Sequence, residues 1–216
     1  FTYDAGGRMR SNSHLGEYAY NSASPKHAPR IIRLSEGDET LVYDANGNMT
    51  RGPAGKQMTY DAENRIMEII YAGVTTRYVY GADGTRLKRI DDAGTGSESV
   101  TAYFGPVEIQ KFGQGTSEII STFPLPNIRL IHKGGSDGRP GTSTYEVMHT
   151  DQLGSVRLIT DANGARVTRR AYEPFGEIGR ENTWSLTHAP EDKGWIGERL
   201  DRGAGLKYLN ARYYDP

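Results

Sequence analysis

The chain has 216 residues, 36% of them hydrophobic, with 26 basic and 27 acidic side chains giving a formal net charge of −1. No lysine or arginine run is long enough to act as an electrostatic footprint for nucleic acid, and no apolar run approaches the roughly 18 residues of a membrane span. The absence of cysteine excludes a disulfide framework and thiolate metal sites.

Fourteen tyrosines, with many valines, isoleucines and threonines, argue for strands rather than disorder. The 27 glycines follow no three-residue period, so they indicate turns and not collagen. No stretch keeps a long helical period, and the fold class expected is all-β.

In chain order, one short phrase recurs. It runs Tyr3-Asp4-Ala5-Gly6-Gly7, then Tyr43-Asp44-Ala45-Asn46-Gly47, then Tyr60-Asp61-Ala62-Glu63-Asn64, then Tyr80-Gly81-Ala82-Asp83-Gly84. Four residues after each tyrosine stands Gly7, Gly47, Asn64 or Gly84, and these residue types tolerate positive φ. A left-handed position at a fixed offset, flanked by alternating residues, predicts a repeated β-hairpin. Met9, Met49 and Ile66 each follow their tyrosine by six, and tyrosine and aliphatic residue are expected to share a face. In the fourth copy Leu87 comes one residue late, which reads as a bulge. The uneven tyrosine steps, from Tyr3 to Tyr20, Tyr43, Tyr60 and Tyr80, point to an array of stacked units.

Between the first two copies, 15–21 reads as a strand arm, 22–29 as a loop, and 31–34 and 40–43 as strands around a turn at 35–38. Beyond residue 90, strands are expected at 100–104, 107–112, 118–123 and 127–132. Residues 134–142 read as an exposed Gly/Ser/Pro-rich loop. Strands resume at 145–151 and 154–160, and Asp161-Ala162-Asn163-Gly164 is a turn into a return strand over 167–172. Asn163-Gly164 is the strongest short hairpin signal in the sequence. The aromatic stretch 206–214 reads as one final strand. Pattern alone places the tyrosine–aspartate repeats over 1–112, an irregular hairpin and loop over 113–144, and a distinct region over 145–216. The chain opens inside a repeat and carries no signal peptide, so it is expected to be a segment of a longer polypeptide.

Few side chains carry reactive chemistry in a usable pattern. His149 and Asp151 lie near Ser143 and Ser155, but no oxyanion hole or oriented base accompanies them, and they read as turn and ladder residues. The five histidines are scattered and the Asp-Ala-Asn-Gly loops lack the ligand series of an EF-hand, so no metal, cofactor or catalytic residue is expected. Arg166 to Arg170 reads as a solvated strand face. Trp184 and Trp195 are the candidates for stacking on a sugar, with core packing the simpler role for Trp195.

The repeated phrase resembles the YD repeat of Rhs proteins. Residues from His149-Thr150-Asp151-Gln152-Leu153-Gly154 through Tyr172-Glu173-Pro174-Phe175-Gly176 resemble the start of the Rhs-associated core region. Gly197-Glu198-Arg199-Leu200-Asp201 and Gly205-Leu206-Lys207-Tyr208-Leu209-Asn210-Ala211-Arg212-Tyr213-Tyr214-Asp215-Pro216 resemble its continuation. The resemblance implies a β-hairpin ribbon forming part of a hollow shell, with 145–216 beginning the core plug. It implies a bacterial polymorphic toxin in which the shell encloses and helps deliver a C-terminal toxin domain. Partners would be the rest of the shell, the enclosed toxin, and secretion-apparatus or toxin-complex components; the setting would be extracellular or the surface of target cells. Tyr3, Gly7, Tyr43, Gly47, Tyr60, Asn64, Tyr80, Gly84, Asn163, Gly164, Arg212, Tyr213, Tyr214 and Asp215 are expected to be structural. Two alternatives are an aspartyl autoprotease whose aspartates lie beyond Pro216, with Asp215 not among them, and a carbohydrate-binding adhesion module.

Overall fold

The strands form three antiparallel sheets in which hydrogen-bonded neighbours are consecutive in sequence. The computed structural model describes residues 1–13, 15–21, 27–112, 117–123, 127–134, 141–185 and 190–216. His14, His188 and the break at 113–116 fall outside the described residues, as do parts of the expected loops at 22–29 and 134–142. The chain divides into two units, residues 1–75 and 76–216.

The first unit opens with a five-stranded meander: β1 (Thr2–Tyr3), β2 (Met9–Asn12), β3 (Gly16–Ala19), β4 (Ile31–Leu34) and β5 (Gly37–Thr40). A second meander follows, of β6 (Val42–Tyr43), β7 (Met49–Arg51), β8 (Gln57–Tyr60) and β9 (Ile66–Tyr71). Ile32, Leu41, Met58, Ile66 and Ile69 are the buried apolar residues of the first unit among the described residues. The turn expected at 35–38 is shorter than anticipated. Leu34 pairs with Gly37, so Ser35-Glu36 alone make the connection and Gly37-Asp38 belong to β5.

The second unit is a longer ribbon. Its strands are β10 (Val74–Tyr80), β11 (Arg86–Asp91), β12 (Ser99–Phe104), β13 (Val107–Phe112) and β14 (Ser117–Phe123). They continue with β15 (Ile128–Lys133), β16 (Thr142–Thr150), β17 (Val156–Asp161), β18 (Arg166–Tyr172) and β19 (Ile178–Thr183). Each pairs with the next in sequence order. A small sheet of β20 (Arg199–Asp201), β21 (Leu206–Tyr208) and β22 (Tyr213–Tyr214) completes it.

Three expectations are corrected here. The aromatic tail is two strands, because Asn210 takes positive φ (60°) and Leu209 N–H donates back to the Arg212 carbonyl at 2.8 Å. Arg170 is not on a solvated face: it is buried, while Arg166 and Arg169 are exposed. Leu87 is not a displaced copy of the aliphatic residue. Tyr80 pairs with Arg86, as Tyr3, Tyr43 and Tyr60 pair with Met9, Met49 and Ile66. The repeat register is unbroken, and an arginine has taken the aliphatic place, leaving Leu87 43% exposed.

Candidate functional site

The repeated phrase builds one loop. At Asp4, Asp44, Asp61, Gly81, Asp151, Asp161, Glu173 and Gly194 the backbone N–H donates to the carbonyl four residues on, and the N–H three residues on donates back. The residue three on is Gly7, Gly47, Asn64, Gly84, Gly154, Gly164, Gly176 or Gly197, each with φ between 62° and 92°. The strand register slips by one beside each loop from Asp4 through Glu173, so the closure is a turn ending in a left-handed bulge. Sequence reasoning locates the glycine and overlooks the aspartate. Asp61 Oδ1 accepts the N–H groups of Glu63 and Arg65, both at 2.9 Å, and its Oδ2 accepts Arg65 Nε–H at 2.7 Å. Asp4 and Asp44 do the same with Arg8 and Asn48. Where Gly81 replaces the aspartate, Asp83 supplies the carboxylate, accepting Thr85 N–H at 3.0 Å. Asp61→Ala should lower stability by roughly 1–3 kcal/mol, since it leaves several donors without their charged acceptor; urea unfolding checks this.

The tyrosines tie each copy to its neighbour. Tyr60 O–H donates to the Met49 carbonyl at 2.8 Å, Tyr20 to that of Met9 at 2.8 Å, and Tyr172 to that of Val156 at 3.0 Å. Tyr60→Phe should therefore cost about 1 kcal/mol in thermal or denaturant melts.

Beside apolar residues such as Ile120, Ile131, Met148 and Ile159, the second unit buries charged and polar side chains. Arg86, Arg89, Glu108, Gln110, Arg129, Glu146 and Arg170 are all buried. Most of their partners come from residues 191–213, folded against them. Arg86 donates to Asp201 Oδ2 at 2.6 Å, and its guanidinium lies 4.0 Å from the Tyr208 ring centroid and 4.8 Å from that of Tyr103. Arg89 donates to Asp91, Asp192 and Asp201 at 2.8–2.9 Å. Arg129 pairs with Glu146 and Glu191, Arg199 with Glu108, and Arg170 holds Glu181 and the carbonyls of Glu191 and Lys193. Asp201 is wholly buried; desolvation pushes its carboxyl up, but Arg86 and Arg89 outweigh this and hold it below the usual range. Burial wins at Asp91, whose carboxyl is raised, and it pushes the Tyr103 phenol up to about 12.

Lys207 is the exception in this network. It is 1% exposed and has aromatic neighbours in Tyr172 and Trp195, 5.6 and 5.9 Å from the ring centroids. Burial, reinforced by Arg170 and Arg202, pushes its ammonium down to about 8. Its charge costs the fold fully below that pH, and the cost fades as pH rises from there toward the unfolded value of about 10.4. Lys207→Met should raise stability by roughly 1 kcal/mol or more near neutrality, with the advantage shrinking in melts at alkaline pH.

The sequence candidates are distributed through this frame. Tyr80 O–H and Tyr213 O–H hydrogen-bond at 2.9 Å, bringing a repeat tyrosine to the C-terminal motif. Tyr214 O–H donates to the Phe175 carbonyl at 2.9 Å and its ring stacks on Trp195, with centroids 5.9 Å apart. Trp184 is 49% exposed and lies under the Arg166 guanidinium. Tyr3, Arg212 and Asp215 are exposed. His149 Nε2 meets Thr160 Oγ1 at 3.1 Å, and Asp151 accepts Leu153 and Ser155 N–H groups in its loop. Among the described residues no group of three or more His, Asp or Glu side chains is placed to hold a metal.

No family model matches the chain. The tRNA nuclease WapA of Bacillus subtilis strain 168 is 25% identical over 225 residues, covering all of this chain and 9% of WapA. The double-stranded DNA deaminase toxin A of Burkholderia cenocepacia strain H111 is 24% identical over 259 residues, again covering all of this chain and 18% of the toxin. The chain is similar to Rhs/YD-repeat toxins. The fold of the chain also matches solved Tc toxin structures. The structure of the Photorhabdus luminescens Tc holotoxin pore superposes on 99% of it with a TM-score of 0.72 at 18% identity, using 11% of that chain. A TcdB2-TccC3-Cdc42 crystal structure covers 93% with a TM-score of 0.68 at 17% identity, using 12% of that chain. The chain thus spans 9–18% of the length of these relatives.

Proposed function

We propose that the chain is a section of the wall of a toxin-associated β-shell, which encloses a C-terminal toxin domain and helps deliver it. The observation that carries this reading is the sequence-ordered antiparallel ribbon closed by one repeated loop, in a chain whose relatives include named toxins. A hairpin ribbon is extensible, since each added copy needs only the edge of the copy before it. It surrounds a cargo without any reactive group. Its contribution is therefore exclusion of solvent and of other molecules, and no catalytic role is proposed for this section. Residues 191–213 act as the start of a plug seated on the ribbon by ion pairs.

The partners proposed are the remainder of the same shell, its enclosed toxin, and components of a toxin complex or secretion apparatus. The place of action proposed is outside the producing cell. Among the described residues no helix is long and apolar enough to cross a membrane. A sugar-binding reading would rest on Trp184, which is 49% exposed, since Trp195 is stacked on Tyr214. Electron microscopy of the full-length parent protein tests the proposal. A closed, hollow particle with density inside supports it; a solid or open, elongated particle overturns it.

A further inference from the structure

Two of the repeated loops carry an Asn-Gly pair at the same place, Asn46-Gly47 and Asn163-Gly164. Their backbones are alike. Gly47 and Gly164 have φ of 86° and 81°, and their N–H groups donate to the Asp44 and Asp161 carbonyls at 3.1 and 3.0 Å. The asparagine side chains are not alike. Asn46 Nδ2 donates to Asn64 Oδ1 at 3.0 Å, and Asn48 Nδ2 donates to the same oxygen at 2.7 Å, so the neighbouring loop holds the Asn46 carboxamide in place. Asn163 uses its backbone N–H on Asp161 Oδ1, but its carboxamide has no hydrogen-bond partner among the described residues. Residues 162–166 are all exposed, whereas Gly47 and Asn48 are half-buried.

We infer that Asn163 is a site of spontaneous covalent modification, deamidation through a succinimide, and that Asn46 is protected from it. The Gly164 backbone nitrogen, losing its proton to solvent base, attacks Asn163 Cγ. A new bond forms between that nitrogen and Cγ, the Cγ–Nδ2 bond of the carboxamide breaks, and Nδ2 leaves with a proton as ammonia. Water then opens the ring at either carbonyl, leaving aspartate or isoaspartate. No oxidant, metal or second protein is required. The reaction needs the turn to open far enough to release the Gly164 N–H and a carboxamide free to swing toward it; only Asn163 meets the second condition from the start. The product matters to this loop in particular. Asp161 Oδ1 accepts the N–H groups of residues 163 and 165 at 2.9 and 2.8 Å. Isoaspartate lengthens the backbone between those two donors, and the new carboxylate stands beside that of Asp161.

The test is peptide mapping by mass spectrometry of the folded full-length protein aged in mildly alkaline buffer, with an isoaspartate-specific methylation assay. Isoaspartate should accumulate at position 163 several-fold faster than at position 46. In denaturant, where both sites are flexible Asn-Gly pairs, the two rates should converge. Asn64→Gly keeps a residue suited to positive φ while removing the carboxamide that holds Asn46. That variant should raise the rate at 46 several-fold and leave 163 unchanged. Equal rates in the folded protein, or an unchanged rate at 46 in Asn64→Gly, overturns the inference.

Discussion

Asp201→Asn should lower the stability of the second unit by about 3–5 kcal/mol, although the substitution removes no volume. Asp201 is wholly buried and holds two guanidinium groups, Arg86 at 2.6 Å and Arg89 at 2.9 Å. Neutralising it leaves Arg86 buried among Tyr78, Tyr103 and Tyr208 with no carboxylate. Arg89 retains Asp91 and Asp192, so the larger loss falls on Arg86. The double variant Arg86→Met with Asp201→Asn should cost clearly less than the sum of the two single changes. A coupling of more than about 1 kcal/mol in denaturant melts is expected, and additive effects would contradict direct pairing. The pH dependence has a definite sign. Asp201 is held below its ordinary value, so its stabilisation is complete above the unfolded value of about 3.9 and is lost only as pH falls through its lower folded value. Asp91, raised by burial, protonates earlier, but Arg89 then still has Asp192 and Asp201. Residues 191–213 should therefore stay seated through mild acidification and be released only in strong acid, which hydrogen exchange measured against pH would follow.

The second large effect is Gly176→Ala. Gly176 has φ of 92°, and a Cβ there would lie 2.6 Å from Trp195 Cδ2 and Cε3. The indole cannot swing aside cheaply, because it also stacks on Tyr214. Gly164→Ala is the matched control. Its φ is 81°, but nothing lies within 4 Å of the added Cβ. It should cost only the left-handed penalty of about 1–2 kcal/mol, whereas Gly176→Ala should cost roughly 3 kcal/mol or more and shift the Trp195 fluorescence. Gly47→Val, a β-branched residue at φ of 86°, should also disrupt its hairpin, as thermal melts would register.

The hairpin grammar is legible in the sequence because its chemistry is local. A residue able to take positive φ, a tyrosine before the turn and alternating flanks need no knowledge of distant residues. The Tyr172-Glu173-Pro174-Phe175-Gly176 stretch, which reads as a core-region motif, closes the same loop; proline and phenylalanine at its tip disguise it as a copy. The interior is far less legible. Arg86, Glu108, Arg129, Glu146 and Arg170 look solvent-facing in a hydropathy pattern, and only partners such as Asp201, distant in sequence, make their burial tolerable. That is also why Arg86 reads as an insertion and Leu87 as the residue that should face inward. No sequence period reports a salt bridge across more than a hundred positions.

The ribbon and the ion pairs that finish it differ in when they can form. Each strand waits only for the next few residues, so hairpins can be laid down in order while synthesis continues, with little entropy spent on closing long loops. Arg86 and Arg89, by contrast, stay without Asp201 until the rest of the second unit has been made. Until then Arg86 lacks its carboxylate, and Arg89 has Asp91 but neither Asp192 nor Asp201. Chains truncated before Asp192 would leave Arg86 without its carboxylate, which should make them distinguishable from the intact chain by solubility and susceptibility to proteases.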